Sequence, residues 1–250
     1  GIRVVLVHGG GPQLDEMTAK LGVQTRTVQG RRVTDAAAID ATSMVLNGLI
    51  NTQLVALCLS FGISAIGIGG IDGGLVQAHR RAPVTLASGE VVDYGLVGDI
   101  DGIDGTVITR LLDSGFLPVV SPLSCDATGQ LLNINADTVA AAIGGALVAE
   151  KLILCTGAPG ILERVDDPQS LISYTDLAGL HRLREKGAIS DGMLPKSSAI
   201  EAAIRGGVRR VHVISYAETD SLLAEIFTNE GKGTLVVADT KALTAAEQGQ

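Results

Sequence analysis

Three stretches of this chain have the residue types and spacing to do chemistry. In Val7-His8-Gly9-Gly10-Gly11-Pro12, three consecutive glycines join an apolar run to the helical pattern of Leu14, Met17 and Leu21. Glycines let a backbone approach an anion closely, and a helix N-terminus adds partial positive charge. The same residues could instead form a tight strand-to-helix turn with no ligand. Asn133-Ile134-Asn135-Ala136-Asp137 ends a strand pattern and opens an Ala-rich helical one. Alternate strand positions project to one side, so Asn133 and Asn135 would bring two amides to one spot, while Asp137 either caps the helix or holds other polar groups in position. Ser190-Asp191-Gly192-Met193-Leu194-Pro195-Lys196 opens a helix that runs on through Ile200 and Ile204. With Asp191 as N-cap and Pro195 near the start, Lys196 falls in the first turns, as a solvated lysine or as a phosphate-directed cation. Arg31-Arg32-Val33-Thr34-Asp35 adds an arginine that could fork onto a carboxylate, or lie in a solvated hairpin ahead of a helix capped at Thr34 or Asp35.

Common alternatives fail on the same residues. Leu14 stands where a dinucleotide GxGxxG needs its last glycine, and the chain has no GxxxxGK[ST] loop and no GxSxG elbow. His8, His79, His181 and His212 share no metal-ligand spacing, so core or edge histidines are the plain reading.

The elements that must position these groups follow from periodicity. Short β-branched runs at Val4 to Val7, Ala65 to Ile68, Leu117 to Val120, Leu152 to Cys155 and Val211 to Ile214 alternate with helical patterns, including Thr138 to Glu150. That alternation predicts an α/β fold, a three-layer αβα sandwich with a mainly parallel central sheet. Val76 to Gly98, turning at Ala87-Ser88-Gly89, and Leu123 to Ile134, turning at Asp126 to Gly129, read as hairpins that could frame a substrate mouth. A soft seam at Glu150-Lys151 divides one continuous domain into residues 1–150 and 151–250.

Composition bounds the function. The chain has 250 residues, 46% of them apolar, enough for a large core. A net charge of -8, 2% aromatic residues and no tryptophan argue against nucleic-acid binding. Three scattered cysteines, Cys58, Cys125 and Cys155, read as buried free thiols. No apolar run approaches membrane-spanning length and no leader is evident, so the chain reads as soluble and cytoplasmic. It enters its first strand pattern without an initiator Met, which points to further sequence upstream.

Taken together, the HGGGP loop, Gly30 to Asp35, Val97-Gly98-Asp99, Asn133 to Asp137, Ser190 to Lys196, Gly207 to Ile214 and Leu222 to Thr228 resemble the amino acid kinase superfamily and, within it, the acetylglutamate kinase branch. The resemblance runs from Val4 to about Val236. It implies ATP-dependent phosphorylation of the side-chain carboxylate of N-acetylglutamate, giving an acyl phosphate, in arginine biosynthesis. Residues 1–150 would serve the amino acid and 151–250 the nucleotide. Gly10, Gly11, Arg32 and Asn133 would contact acetylglutamate, with Arg32 on its α-carboxylate. Lys196 would stabilise the phosphoryl group in flight, and Asp137 would orient the catalytic lysines. Gly157, Ala158, Pro159, Gly160, Ile161 and Leu162, with Ala188, Ile189 and Ser190, would embrace ATP, and Mg²⁺ would bridge its phosphates. The resemblance also implies a homodimer or larger homo-oligomer.

The chain departs from the family pattern in four places. A Lys-x-Gly-Gly strand, whose lysine is the second phosphoryl-stabilising cation, would lie upstream of Gly1, and without it the chain as written would be catalytically crippled. Gly157 stands where Asp is usual, Thr52 where Lys is common, and Ile71 where Lys commonly precedes Asp72-Gly73. These changes bear on nucleotide affinity more than on fold. Two alternatives stay open: a silent sensor or synthase-type domain of the same fold, and a sibling kinase acting on another carboxylate or on carbamate.

Overall fold

The computed structural model describes residues 1–28, 31–86, 88–164, 166–189, 192–228 and 231–243. Gly30, Ala87, Ser190 and Asp191 lie outside the described residues. The chain divides into two compact units, Gly1–Val139 and Ala140–Gln250, a division that falls inside the Ala-rich helix.

The first unit runs β1 (Leu6–Val7), α1 (Gly11–Lys20), β2 (Arg26–Val28), β3 (Arg31–Val33), α2 (Ala36–Ser43), a π-helical stretch (Met44–Ile50), α3 (Asn51–Ser60) and β4 (Ala65–Gly69). It continues through β5 (Val76–Arg80), β6 (Val84–Thr85), β7 (Val91–Val92), β8 (Gly98–Ile103), α4 (Thr106–Asp113), β9 (Leu117–Ser121), β10 (Leu123–Cys125) and β11 (Leu131–Asn133). Strands β1, β9 and β4 form a parallel sheet in that order, with Leu6 opposite Val119 and Ala65 opposite Leu117. A second sheet, ordered β11-β10-β5-β8, holds the expected hairpin at Asp126 to Gly129, whose Asp126 carboxylate accepts from the Thr128 and Gln130 amides at 2.8 and 3.1 Å. The hairpin expected over Val76 to Gly98 is more broken. Strand β5 pairs antiparallel with β8, and β6 with β7 closes the shorter turn around Ser88 and Gly89.

The first strand is shorter than its apolar pattern suggested. Only Leu6 and Val7 pair, with Val119 and Val120 of β9, and Ile2 and Val4 stay exposed. A second correction concerns apolar length. The segments α2, π-helical stretch and α3 run together as one 25-residue helix, Ala36–Ser60, long and apolar enough by composition to cross a membrane. Asp40, Asn47, Asn51 and Gln53 interrupt its apolar sequence and hid that length. It buries Ala41, Val45, Leu46 and Ile50 against Leu14 of α1, and the Asn51 amide donates to the Val119 carbonyl at 2.9 Å.

The second unit follows α5 (Ala136–Ala146) with β12 (Lys151–Thr156), β13 (Tyr174–Asp176), α6 (Leu177–Glu185), α7 (Leu194–Arg205), β14 (Arg210–Ser215), α8 (Ser221–Phe227) and β15 (Thr234–Val237). Its sheet runs β12-β14-β15-β13, with β12 parallel to β14, β15 antiparallel to β14, and β13 parallel to β15. Val211, Val213 and Leu154 from the strands pack with Leu180, Ile200, Ala203 and Ile204 from α6 and α7. Beside that core, His212 Nδ1 meets Glu225 at 2.8 Å, and the same carboxylate accepts from the Gly233 amide at 2.9 Å, tying α8 and the approach to β15 onto β14.

The cysteines correct a third expectation. Cys58 and Cys125 are half-buried and Cys155 is exposed; none is in the core.

Candidate functional site

In the first unit, several residues singled out from sequence are tied to their surroundings by short contacts. Strand β1 delivers His8 to a buried position, where Nδ1 lies 3.0 Å from the Gly9 carbonyl and the Asn51 amide nitrogen lies 3.1 Å from Nε2. Both contacts are satisfied by a neutral ring that donates from Nδ1 and accepts at Nε2. Burial pushes the His8 pKa down, against the upward pull of the Gly9 carbonyl. His8 is therefore a core histidine that anchors the glycine turn.

The three glycines divide their work. A Cβ on Gly10 would strike Ile50 Cδ1 and come within 2.9 Å of Leu46 Cδ2, so packing against the long helix demands that glycine. Gly11 has nothing within 4 Å of its Cβ position and opens α1, which has no side-chain cap and carries Pro12 in its first turn. The amides at that end are left for an anion. Gly9 lies 3.5 Å from the Ala136 Cβ, so the turn abuts the start of α5 next to Asp137.

Asn133 ends β11, and its Nδ2 donates to the buried Thr34 Oγ1 at 3.2 Å. Asn135 does not project beside it. Its Oδ1 accepts from the Thr138 amide at 3.1 Å and caps α5, because the strand ends at Asn133 and alternation stops there. Asp137 therefore sits inside the first helical turn instead of capping it. Asp35, of the two possible caps, caps α2 by accepting from the Ala38 amide at 2.8 Å.

Arg32 lies on β3, two residues before Thr34. One of its terminal nitrogens, Nη2, donates to Asp15 of α1. The other, Nη1, is buried with no hydrogen-bond partner among the described residues. Leaving such a donor unpaired costs about 1–3 kcal/mol, and a carboxylate would relieve it. Sequence reasoning missed Asp15, and offered Thr34 only as a candidate helix cap, not as the partner of Asn133. The available signals were Asp15 one helical turn after Gly11, and Thr34 at strand alternation from Arg32.

In the second unit, β12 ends at Thr156 and leads into Gly157, which is exposed, then half-buried Ala158 and Pro159. A Cβ on Gly157 would lie 3.1 Å from the hydroxyl of Tyr216, whose ring is exposed. Gly160 and Ile161 face inward. A Cβ on Gly160 would approach Thr234 Oγ1 to 2.6 Å, and the Ile161 amide donates to that same oxygen at 2.8 Å. Leu162 bridges to Leu171. Ile189 is buried in the core, and Ala188 packs against it. Lys196 lies in the first turn of α7, half-buried, near enough to Cys155 that its ammonium pulls the thiol pKa down while desolvation of the sulfur pushes it up more strongly. Arg184 of α6 donates to Ser197 Oγ at 2.9 Å and to Glu201 at 3.0 Å, clamping the start of α7. Among the described residues no cluster of three His, Cys, Asp or Glu could hold a metal ion.

The family model for the amino acid kinase family matches residues 1–215. The chain is 45% identical over 253 residues to the acetylglutamate kinase of Myxococcus xanthus, covering 99% of this chain and 82% of that one. It is 43% identical to the acetylglutamate kinase of Archaeoglobus fulgidus over 94% of this chain and 82% of that one. Among solved structures, N-acetylglutamate synthase from Neisseria gonorrhoeae, complexed with coenzyme A and N-acetylglutamate, superposes with a TM-score of 0.80 at 28% identity, over 96% of this chain and 53% of that one. The mainly parallel α/β architecture is thus shared along nearly the whole chain. The chain belongs to the amino acid kinase family.

Proposed function

We propose that the protein transfers the γ-phosphoryl group of ATP to the side-chain carboxylate of N-acetyl-L-glutamate, the acetylglutamate kinase reaction of arginine biosynthesis. The observation that carries this reading is the buried Nη1 of Arg32, unpartnered among the described residues, on a guanidinium that donates its other terminal nitrogen to Asp15 of α1, the helix whose start has no side-chain cap. A small carboxylate would satisfy that open donor. The similarity to acetylglutamate kinases supplies the identity of that carboxylate.

In this reading Arg32 pairs with the α-carboxylate, Asn133 holds the neighbouring polar groups, and the amides at Gly10 and Gly11 face the reacting end. The reaction sets two anions against each other, so positioning and charge neutralisation matter more than covalent help from the protein. Lys196 stabilises the transferring group and Asp137 keeps the lysine order. The loop Gly157 to Leu162, with Ala188, Ile189 and Ser190, serves ATP. Since Ile161 and Ile189 are buried in the core, contact with the nucleotide would fall to the backbone at exposed Gly157 and to half-buried Ala158 and Pro159. In this reading Mg²⁺ would be carried by the nucleotide phosphates, where it would neutralise developing charge. A cytoplasmic location and a homo-oligomer complete the proposal, the latter supported by exposed Met44, Leu49 and Leu57 on the long helix.

The test is an assay of the full-length protein with ATP and Mg²⁺ against N-acetylglutamate, glutamate, aspartate and carbamate, with hydroxylamine trapping the acyl phosphate. Turnover confined to N-acetylglutamate is expected. Failure with that substrate refutes the reading, and turnover of carbamate or aspartate would favour the sibling kinase. Lys196→Ala should depress kcat far more than it raises KM, because its cation acts in the transition state. An unchanged kcat removes Lys196 from the mechanism.

A further inference from the structure

We infer that Asp15 is a positioning residue for substrate recognition, fixing the Arg32 guanidinium so that Nη1 faces the α-carboxylate of the acceptor. The inference rests on the acetylglutamate reading above.

The arginines of the first unit supply an internal contrast. Arg81 gives Nε to both oxygens of Asp99 at 3.0 Å and adds Nη2, closing the fork on one acid. Arg80 gives Nη2 to both oxygens of Asp93, at 3.2 and 2.9 Å, and Nε to the Gly95 carbonyl at 2.9 Å. Neither of these arginines has a nitrogen that is both buried and without a partner among the described residues. Arg32 differs. Its side chain is 14% exposed, Asp15 takes one nitrogen, and the nitrogen left over is buried and unpartnered.

Asp15 itself is 62% exposed. Its carboxylate is not committed to the core, so the pair adds little to stability. What it does is orient. A guanidinium is planar, so holding Nη2 on Asp15 fixes the plane and the direction of the remaining donors. Asp15 also lies one turn into α1, about 6 Å along the axis from Gly11 by helical rise. The two ends of a short dicarboxylate can then be met by one rigid element: the amides at the helix start and the arginine pinned one turn further on. Pinning leaves less rotamer entropy to lose on binding.

Kinetics with three variants and one substrate analogue test this. Asp15→Ala should raise KM for N-acetylglutamate roughly tenfold, the affinity equivalent of immobilising one rotamer-rich side chain. The change in kcat should stay below about twofold, since the contact is the same in ground and transition states. Asp15→Glu should recover part of the loss. The inhibition constant of 4-acetamidobutyrate, which lacks the α-carboxylate, should be the same for the parent protein and Asp15→Ala. A KM that is unchanged or lower in Asp15→Ala overturns the inference, because Asp15 would then be a bystander or a competitor for Arg32. Equal weakening of the analogue overturns it too, since the role would be merely structural. Arg32→Ala separates the two levels: if it leaves KM for N-acetylglutamate unchanged, the reading of Arg32 falls, and the inference about Asp15 with it.

Discussion

Gly10 stands in the loop expected to meet substrate, yet its missing side chain is explained by the core. A methyl group placed there would overlap Ile50 Cδ1 and press on Leu46 Cδ2 at 2.9 Å. Ile50 is 9% exposed and packed among Leu14, Ala41, Val45 and Leu46, so it has little room to retreat. Overpacking a close-packed core costs roughly 1–3 kcal/mol. The clashing atom is the end of a side chain and can turn partly aside, so Gly10→Ala should fall in the lower half of that range, about 1–2 kcal/mol. For a chain of this size that corresponds to a Tm lower by about 2–8 °C. Ile50→Val deletes the obstructing methyl. Alone it should cost about 0.5–1.5 kcal/mol, the usual value for that truncation. Combined with Gly10→Ala it should cost less than the sum of the two, by about 0.5 kcal/mol or more, since contacting residues couple. Thermal or urea unfolding of the four proteins in the cycle measures this. Strict additivity would refute the packing argument. A Gly10→Ala protein of full stability with lost acetylglutamate affinity would assign the glycine to the ligand alone.

Other consequences follow from the same geometry. His8 has its pKa lowered from 6.5, chiefly by burial, so the unfolded chain takes up a proton that the folded one resists; stability should decline as pH falls below about 6.5, and His8→Asn should flatten that slope in pH-dependent urea unfolding. Glu225→Ala leaves buried His212 and the Gly233 amide without their acceptor and should cost about 3 kcal/mol, a Tm drop of roughly 6–12 °C by calorimetry. The Glu225 carboxyl is pushed up by burial, but the bonds from His212 and Gly233 outweigh this and hold it below 4.5; its stabilisation is present above that pH and is lost as pH falls through the lowered value. Gly157→Asp has only the exposed Tyr216 hydroxyl to displace, so its Tm should change by less than about 2 °C, and any effect should appear in KM for ATP.

Periodicity and local chemistry placed the elements well where a signal is confined to a few neighbouring residues. The runs around Ala65, Leu117, Leu152 and Val211 became strands within a residue or two, because a buried strand needs only a short β-branched stretch with turn residues beside it. The Asp126 to Gly129 turn was legible for the same reason, since Asp126 satisfies its own turn. The long helix hid its length because polar residues split its apolar runs, and their partners, Ser121 for Asn47 and Val119 for Asn51, are distant in sequence.

For the site, sequence alone determined which residue types were on offer: the glycine turn at a helix start, Arg32, Asn133, Asp137 and Lys196. Tertiary structure decided what each one touches. Gly10 owes its identity to Ile50, forty residues away in sequence; Asn135 went to a cap; and Arg32 acquired Asp15 on one nitrogen and nothing on the other. Spacing reports neighbours along the chain. Which donor is left buried and unpaid depends on neighbours across it, and those exist only once helices and strands have packed.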